Sequence, residues 1–323
     1  MRIFKACVIA TIATLLSPSA YAVTIQCLTG ADISRAVSDM LQLGSPVDLD
    51  AENGNLCEAF ESINGTGGVL PVIHGNGANL SAHTGGYPVL DFTQSGFAVV
   101  DNLHITSNAP NPSIYGMRLG PDNRCQSNVG QATITGVSFC MVPGCDYQQR
   151  GNGSIGIDID RAEQNFFYNV SWDQADTPVE IVGDTVNDDT PPIMPSQYSL
   201  LGVCAGRHSS IGNFFFGGQL AAMETSDIVT RGEVRNLLVL GTLLSAPSDN
   251  FAVESTPFSI TLNGPLYDSA IIAPRVERFT QLLDLNGWKA KNSVFAGSAV
   301  PLGRHVKSGR KFKLDIMLPT TMR

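Results

Sequence analysis

Four charged residues sit at the middle of short apolar triplets: Asp91 in Leu90-Asp91-Phe92, Arg118 in Met117-Arg118-Leu119, Asp158 in Ile157-Asp158-Ile159 and Glu180 in Val179-Glu180-Ile181. Period-two alternation turns the flanking apolar residues to one face of a strand and the charged residue to the other. The triplets Phe251-Ala252-Val253 and Leu283-Asp284-Leu285 continue the pattern, with a faint member near Ile228. Where such strands lie side by side, equivalent residues are about 4.8 Å apart, and the charges form a column. Asp158 beside Glu180 juxtaposes two carboxylates, which raises the pKa of one and supplies an acid next to a base. Asp91 and Asp158 are two spacings apart, about 9.6 Å, with Arg118 between them. Carboxylates separated by roughly 6.5–9.5 Å suit inverting glycoside hydrolysis. Arg118 is placed to orient an acidic sugar or to stabilise developing negative charge. The competing reading is an ion-pair ladder on an outward, necessarily polar sheet face, which contributes little.

Other candidates flank this column. Asp173 and Asp176 in SWDQAD form a possible acid pair at a sheet edge, although turn solvation explains such residues as well. Phe215, between Phe214 and Phe216, is expected to point outward and to stack on a sugar face or lie under a loop. Arg207 and His208 close the insertion 183–210, which leaves directly after Glu180 and is long enough to wall a groove. His104 is expected to face outward. In GDTVNDDT, Asp184, Asp188 and Asp189 offer oxygen ligands of the kind Ca²⁺ takes, yet the spacing fits no EF-hand loop. No cofactor is expected, with Ca²⁺ as the one ion for which ligands are on offer.

The elements that must position these residues follow from a second repeat. VDNLHIT, ITGVSFC, FYNVSWD, IGNFFFG, VRNLLVLG, YDSAIIAP and AKNSVFAG share a turn position, held by Asn102, Gly136, Asn169, Asn213, Asn236, Ser269 and Asn292. The intervals of 34, 33, 44, 23, 33 and 23 residues are those of a solenoid with loop insertions. Asn tolerates left-handed backbone, and its amide bonds the neighbouring coil. A β-sandwich also accommodates short alternating strands, but the repeated Asn–apolar–x–apolar unit favours the solenoid. On these residues the chain resembles the single-stranded right-handed parallel β-helix proteins, the pectate-lyase-like and phage tailspike-like group. The resemblance covers roughly Val69 to Gly303. It implies an all-β solenoid of about seven coils and, through an architecture that hosts lyases, hydrolases, esterases and non-catalytic adhesins, either polysaccharide cleavage or glycan binding. The Asn-Thr-Asp and Gly-His-Gly motifs of β-helix polygalacturonases are absent, as is the Arg and Lys pair of a pectate-lyase-like site. GxSxG, phosphate-loop and HExxH motifs are absent too.

The ends complete the plan. Residues 1–22 place Arg2 and Lys5 before an apolar run and end in Ala20-Tyr21-Ala22, the pattern of a secretory signal peptide. The expected product is secreted or periplasmic, with no later stretch long enough to span a membrane. Six cysteines then remain: Cys27, Cys57, Cys125, Cys140, Cys145 and Cys204, an even number that suggests up to three disulfides, with Cys27–Cys57 a candidate staple. Residues 23–68 read as a helical cap region: a helix over 32–43 with Asp32 as N-cap, then a second one from Asn55 and Glu58 through Leu56, Ala59, Phe60 and Ile63. Gly67-Gly68 and a Pro-containing strand, 69–73, resemble the entry to pectate-lyase-like domains. Residues 69–303 form the β-helix. The tail 304–323 is basic, with a possible strand over Phe312–Leu318. From 23 to 301 the chain has 12 basic and 28 acidic residues, so it is a poor surface for nucleic acid. The partner expected is a polysaccharide or glycan, cleaved or merely bound.

Overall fold

The computed structural model describes residues 22–297 apart from 66–68, 84, 94, 96, 108–114, 121–130, 142–144, 146–152, 184–209, 223–224, 246–257 and 278–280. The period-two alternation becomes strands, and these pair in parallel into three sheets of thirteen, eight and eight. Ala98–Asp101, His104–Ser107 and Tyr115–Leu119 belong to the long sheet, the third sheet and the sheet of charged triplets in turn. The next strand, Ala132–Thr135, returns to the long sheet beside the first. This connectivity is compatible with a parallel β-helix. Parallel strands need such long crossovers, because a tight hairpin reverses the chain.

Each sheet turns one apolar column inward. Leu90, Met117, Ile157, Val179, Ile228 and Ile260 are all fully buried on consecutive strands of the triplet sheet. Each such side chain contributes on the order of 1.5–3 kcal/mol of burial, so one missing strand face leaves two neighbours uncovered.

The turns differ in part from the expectation. Asn102, Gly136 and Asn169 do share a left-handed turn, with φ of 46°, 59° and 49°. Gly136 here occupies a conformation that Asn tolerates and most residues do not. Beyond Asn169 the register slips. Its successors are Gly217 and Gly241, whereas Asn236, Asp268 and Asn292, with φ of 53°, 51° and 51°, form a second column that continues from Gly212. Asn213 is no turn residue: it lies fully buried inside Ser210–Phe216 and accepts a 2.8 Å bond from the amide of Asn165. Ser269 follows the turn residue instead of being it. The long sheet divides at this point, with Val234–Arg235 and Leu238–Leu240 both pairing with Ser210–Phe216.

Among its described residues the N-terminal region holds one α-helix, not two, and a single 3₁₀ turn at Glu52–Gly54. Helix α1 (Ser34–Gln42) buries Val37 and Leu41, four residues apart, and Asp32 Oδ1 accepts the Ser34 N–H at 2.9 Å. The second expected helix is instead two strands, Cys57–Ala59 and Ile63–Asn64, which open the two eight-stranded sheets. Its helical spacing is overridden by strand pairing and by the Cys27–Cys57 disulfide. The Glu58 carboxylate, expected at the start of that helix, receives His83 Nε2 at 2.8 Å and the Gly30 N–H. Cys140 and Cys145 form a second disulfide; Cys125 and Cys204 lie outside the described residues. Among the described residues no helix is long and apolar enough to cross a membrane. Residues 1–21 of the expected signal peptide and the basic tail also lie outside the described residues.

Candidate active site on the charged column

The column forms with the expected neighbours. Asp91 pairs with Arg118, Arg118 with Asp158, and Asp158 with Glu180 across adjacent parallel strands. It continues through Val229, Thr261 and Asp284, so Thr261 takes the place expected for Ala252, which lies outside the described residues. Inward Ile157, Ile159, Val179 and Ile181 fix the parity, since a slip of one residue would bury the carboxylates in the core.

Two carboxylates on this outward face are nearly enclosed, Asp158 at 5% and Glu180 at 7% exposure. Arg118 donates from Nε to Asp158 Oδ2 at 3.0 Å, and the other oxygen, Oδ1, is buried without a hydrogen-bond partner. Burial pushes the Asp158 carboxyl up to about 7; Arg118 opposes this, while Glu180 and Asp160 add to it. Burial also raises the Glu180 carboxyl, against the pull of Arg231, whose Nε contacts Oε1. Arg231 itself is 65% exposed at its side chain, so it approaches Glu180 from the solvent side. The Tyr115 ring lies 5.8 Å from the Arg118 guanidinium carbon, and its hydroxyl pKa is raised by burial and then by Asp158. Asp160, two residues past Asp158, is held by a two-point bond from Arg161 at 2.6 and 2.7 Å.

The other candidates separate from this cluster. Asp91 Oδ1 accepts the Thr93 N–H at 3.0 Å and its hydroxyl at 2.7 Å, so this carboxylate serves a local turn. Asp176 is buried and accepts the Gly153 N–H, while its own N–H donates to Ser154 Oγ at 3.1 Å; it ties a corner together. Asp173 lies on Ser171–Gln174 of the third sheet. Phe215 corrects the expectation outright. It is 2% exposed and stacks inside the core on Phe167, with ring centroids 4.5 Å apart, while Phe214 and Phe216 face outward. Arg207, His208 and the acidic loop with Asp184, Asp188 and Asp189 lie outside the described residues. His104 is half-buried, 2.5 Å from Ser138 Oγ through Nδ1. Two residues of the cluster were missed from the sequence. Arg231 stands two positions beyond Val229 in a faint triplet, and Asp160 was readable as the next outward position after Asp158.

A comparison with protein-family models, with curated proteins and with solved structures finds no match. Chemically, the cluster offers one carboxyl that titrates near neutrality, a second that burial also raises while an arginine opposes the rise, and a further guanidinium beside them.

Proposed function

We propose that the chain is an exported right-handed parallel β-helix, capped at its N-terminal end by helix α1, that cleaves an extracellular polysaccharide on the outer face of its charged sheet. Asp158 is the general acid and Glu180 the carboxylate that acts as base or nucleophile. Arg118 orients Asp158 and the substrate. The observation that carries this reading is Asp158: enclosed, raised to about 7, with Oδ1 unpartnered. A buried, unpartnered carboxyl oxygen is costly unless it is protonated or meets a ligand. Glu180, on the adjacent strand, is raised by burial as well, but Arg231 opposes the rise at its Oε1 while Asp158 keeps one oxygen bare, a difference of environment of the kind that sets acid apart from base within one pair.

A second reading, a non-catalytic glycan-binding or adhesion β-helix, is favoured by the arginine that each carboxylate already has and by the low exposure of both. Incubation with a panel of glycans separates the two, with reducing ends reporting hydrolysis and absorbance of unsaturated products reporting elimination. Products that vanish in Asp158→Asn and Glu180→Gln establish the enzyme. Retention on a glycan array without any product establishes the adhesin.

A further inference from the structure

The outer face of the long sheet changes character along its length. Toward the N-terminus it presents His74, Asp101, Thr133 and Thr135. From Phe166–Tyr168 onward, two columns run without a charge over five strands. One is Phe166, Phe214, Leu238, Ala270 and Val294, and the other is Tyr168, Phe216, Leu240, Ile272 and Ala296. All ten are partly or well exposed, Val294 at 46% and Leu240 at 39%. Phe166 stacks on Phe214 and Tyr168 on Phe216, at 5.0 and 5.1 Å between centroids. Because the ring faces meet each other, mostly edges face the solvent, a poor platform for sugar and a good one for aliphatic side chains.

A continuous apolar strip of this kind marks a docking surface. Five strands at about 4.8 Å give a strip about 19 Å long, too narrow for the roughly 800 Å² per partner that a stable interface between two copies buries. The strip suits a single extended segment of about seven residues, at about 3.3 Å each. The chain itself supplies one. In Phe312-Lys313-Leu314-Asp315-Ile316-Met317-Leu318 every second residue, Phe312, Leu314, Ile316 and Leu318, is apolar, with Lys313, Asp315 and Met317 between them. The last described residue, Gly297, directly follows Val294–Ala296, the terminal strand of the strip. The fourteen residues from 298 to 311 reach up to about 46 Å when extended, which covers the strip, and the tether raises the effective concentration of the segment. Residues 302–323 carry six basic residues and one acidic, against the acidic body. The flank of the strip, with Glu163, Glu233, Arg235, Asp268, Lys289 and Lys291, is balanced in charge, so it does not oppose this attraction.

We propose that the segment Phe312–Leu318 docks in cis along the apolar strip of Phe166, Tyr168, Phe214, Phe216, Leu238, Leu240 and their C-terminal neighbours, and shields it from solvent. The test is oxidative cross-linking of the full chain carrying Leu240→Cys and Ile316→Cys, read by peptide mass after isolation of the monomer. A Leu240–Ile316 cross-link within one chain is expected, with none from Ile316→Cys paired with Asp284→Cys on the charged sheet. Adding Phe216→Asp, an outward change that leaves the core untouched, is expected to reduce the yield about tenfold or more through lost apolar contact. Truncation after Gly303 is expected to expose the strip to an apolar fluorescent dye. Cross-links only between chains, equal cross-linking to Asp284→Cys, or no dye response to truncation would overturn the proposal; the first would assign the strip to a second copy.

Discussion

Asp158 makes the stability of the fold depend on pH in a direction opposite to that of a paired carboxylate. Its folded value of about 7 lies above the ordinary 3.8. The native state therefore holds the proton while the unfolded chain releases it. Stability from this group is fully present below pH 3.8 and is lost as pH rises through 7. Three pH units of difference correspond to about 4 kcal/mol, and the near-complete enclosure of the side chain leaves little solvent screening. Asp158→Asn keeps the shape of the protonated acid and removes the titration. The variant and the parent should thus be similar in stability near pH 3, and the variant should gain roughly 4 kcal/mol on the parent by pH 8. Urea denaturation of both proteins at pH 3, 5, 6.5 and 8 measures the difference, with Arg118 common to both. A difference that stays constant across this range would mean that Asp158 is ionised throughout as a partner of Arg118, and the proton donor would have to be sought elsewhere.

Four further outcomes follow from the structure. Glu180→Gln is expected to lower turnover by at least about a hundredfold, the lower range for loss of an acid–base group, with the fold retained by circular dichroism. Arg231→Gln removes the charge that opposes the raised Glu180 carboxyl, so the acidic limb of the pH–rate profile should move to higher pH; an unmoved limb separates Arg231 from the reaction. Phe215→Ala should cost about 3–5 kcal/mol in urea denaturation, and the outward Phe214→Ala far less. Asn165→Ala should destabilise by about 1–3 kcal/mol for each buried group it leaves unpaired, the candidates being the Ala132 N–H and the Asn213 side-chain oxygen Oδ1.

The parallel strands and the charged column were legible because local alternation carries them. In Leu90-Asp91-Phe92 or Ile157-Asp158-Ile159 only one register buries the apolar pair, so each triplet announces its own outward residue. The stretch Phe214-Phe215-Phe216 announces nothing, since three identical residues have no alternation. Its parity comes from pairing with Phe166–Tyr168 and from the turn at Gly217. Asn213 misled for a related reason. Asn is favoured both at a left-handed turn and inside the coil where its amide meets another, and the Asn165 side chain one strand away decides between them. The stretch Leu56–Ile63 fits a helix by spacing alone, but the pairing Cys57↔Leu80 and the disulfide to Cys27 draw it into the sheets.

By itself the sequence determined the strand class and the outward identity of Asp91, Arg118, Asp158 and Glu180, because these depend on side-chain period within a few residues; it offered Cys27–Cys57 as a candidate disulfide, and the fold brought that pair together. Only the tertiary structure decided which carboxylates are enclosed and what opposes their protonation. Burial is a property of neighbouring strands and of the side chains that close over them, so no spacing within one strand encodes that Asp158 keeps a bare oxygen while Asp91 spends its own on Thr93. Arg231 shows the same point. It is 51 residues from Glu180 in the chain and one strand away in the sheet, and the field of its guanidinium acts through that distance alone.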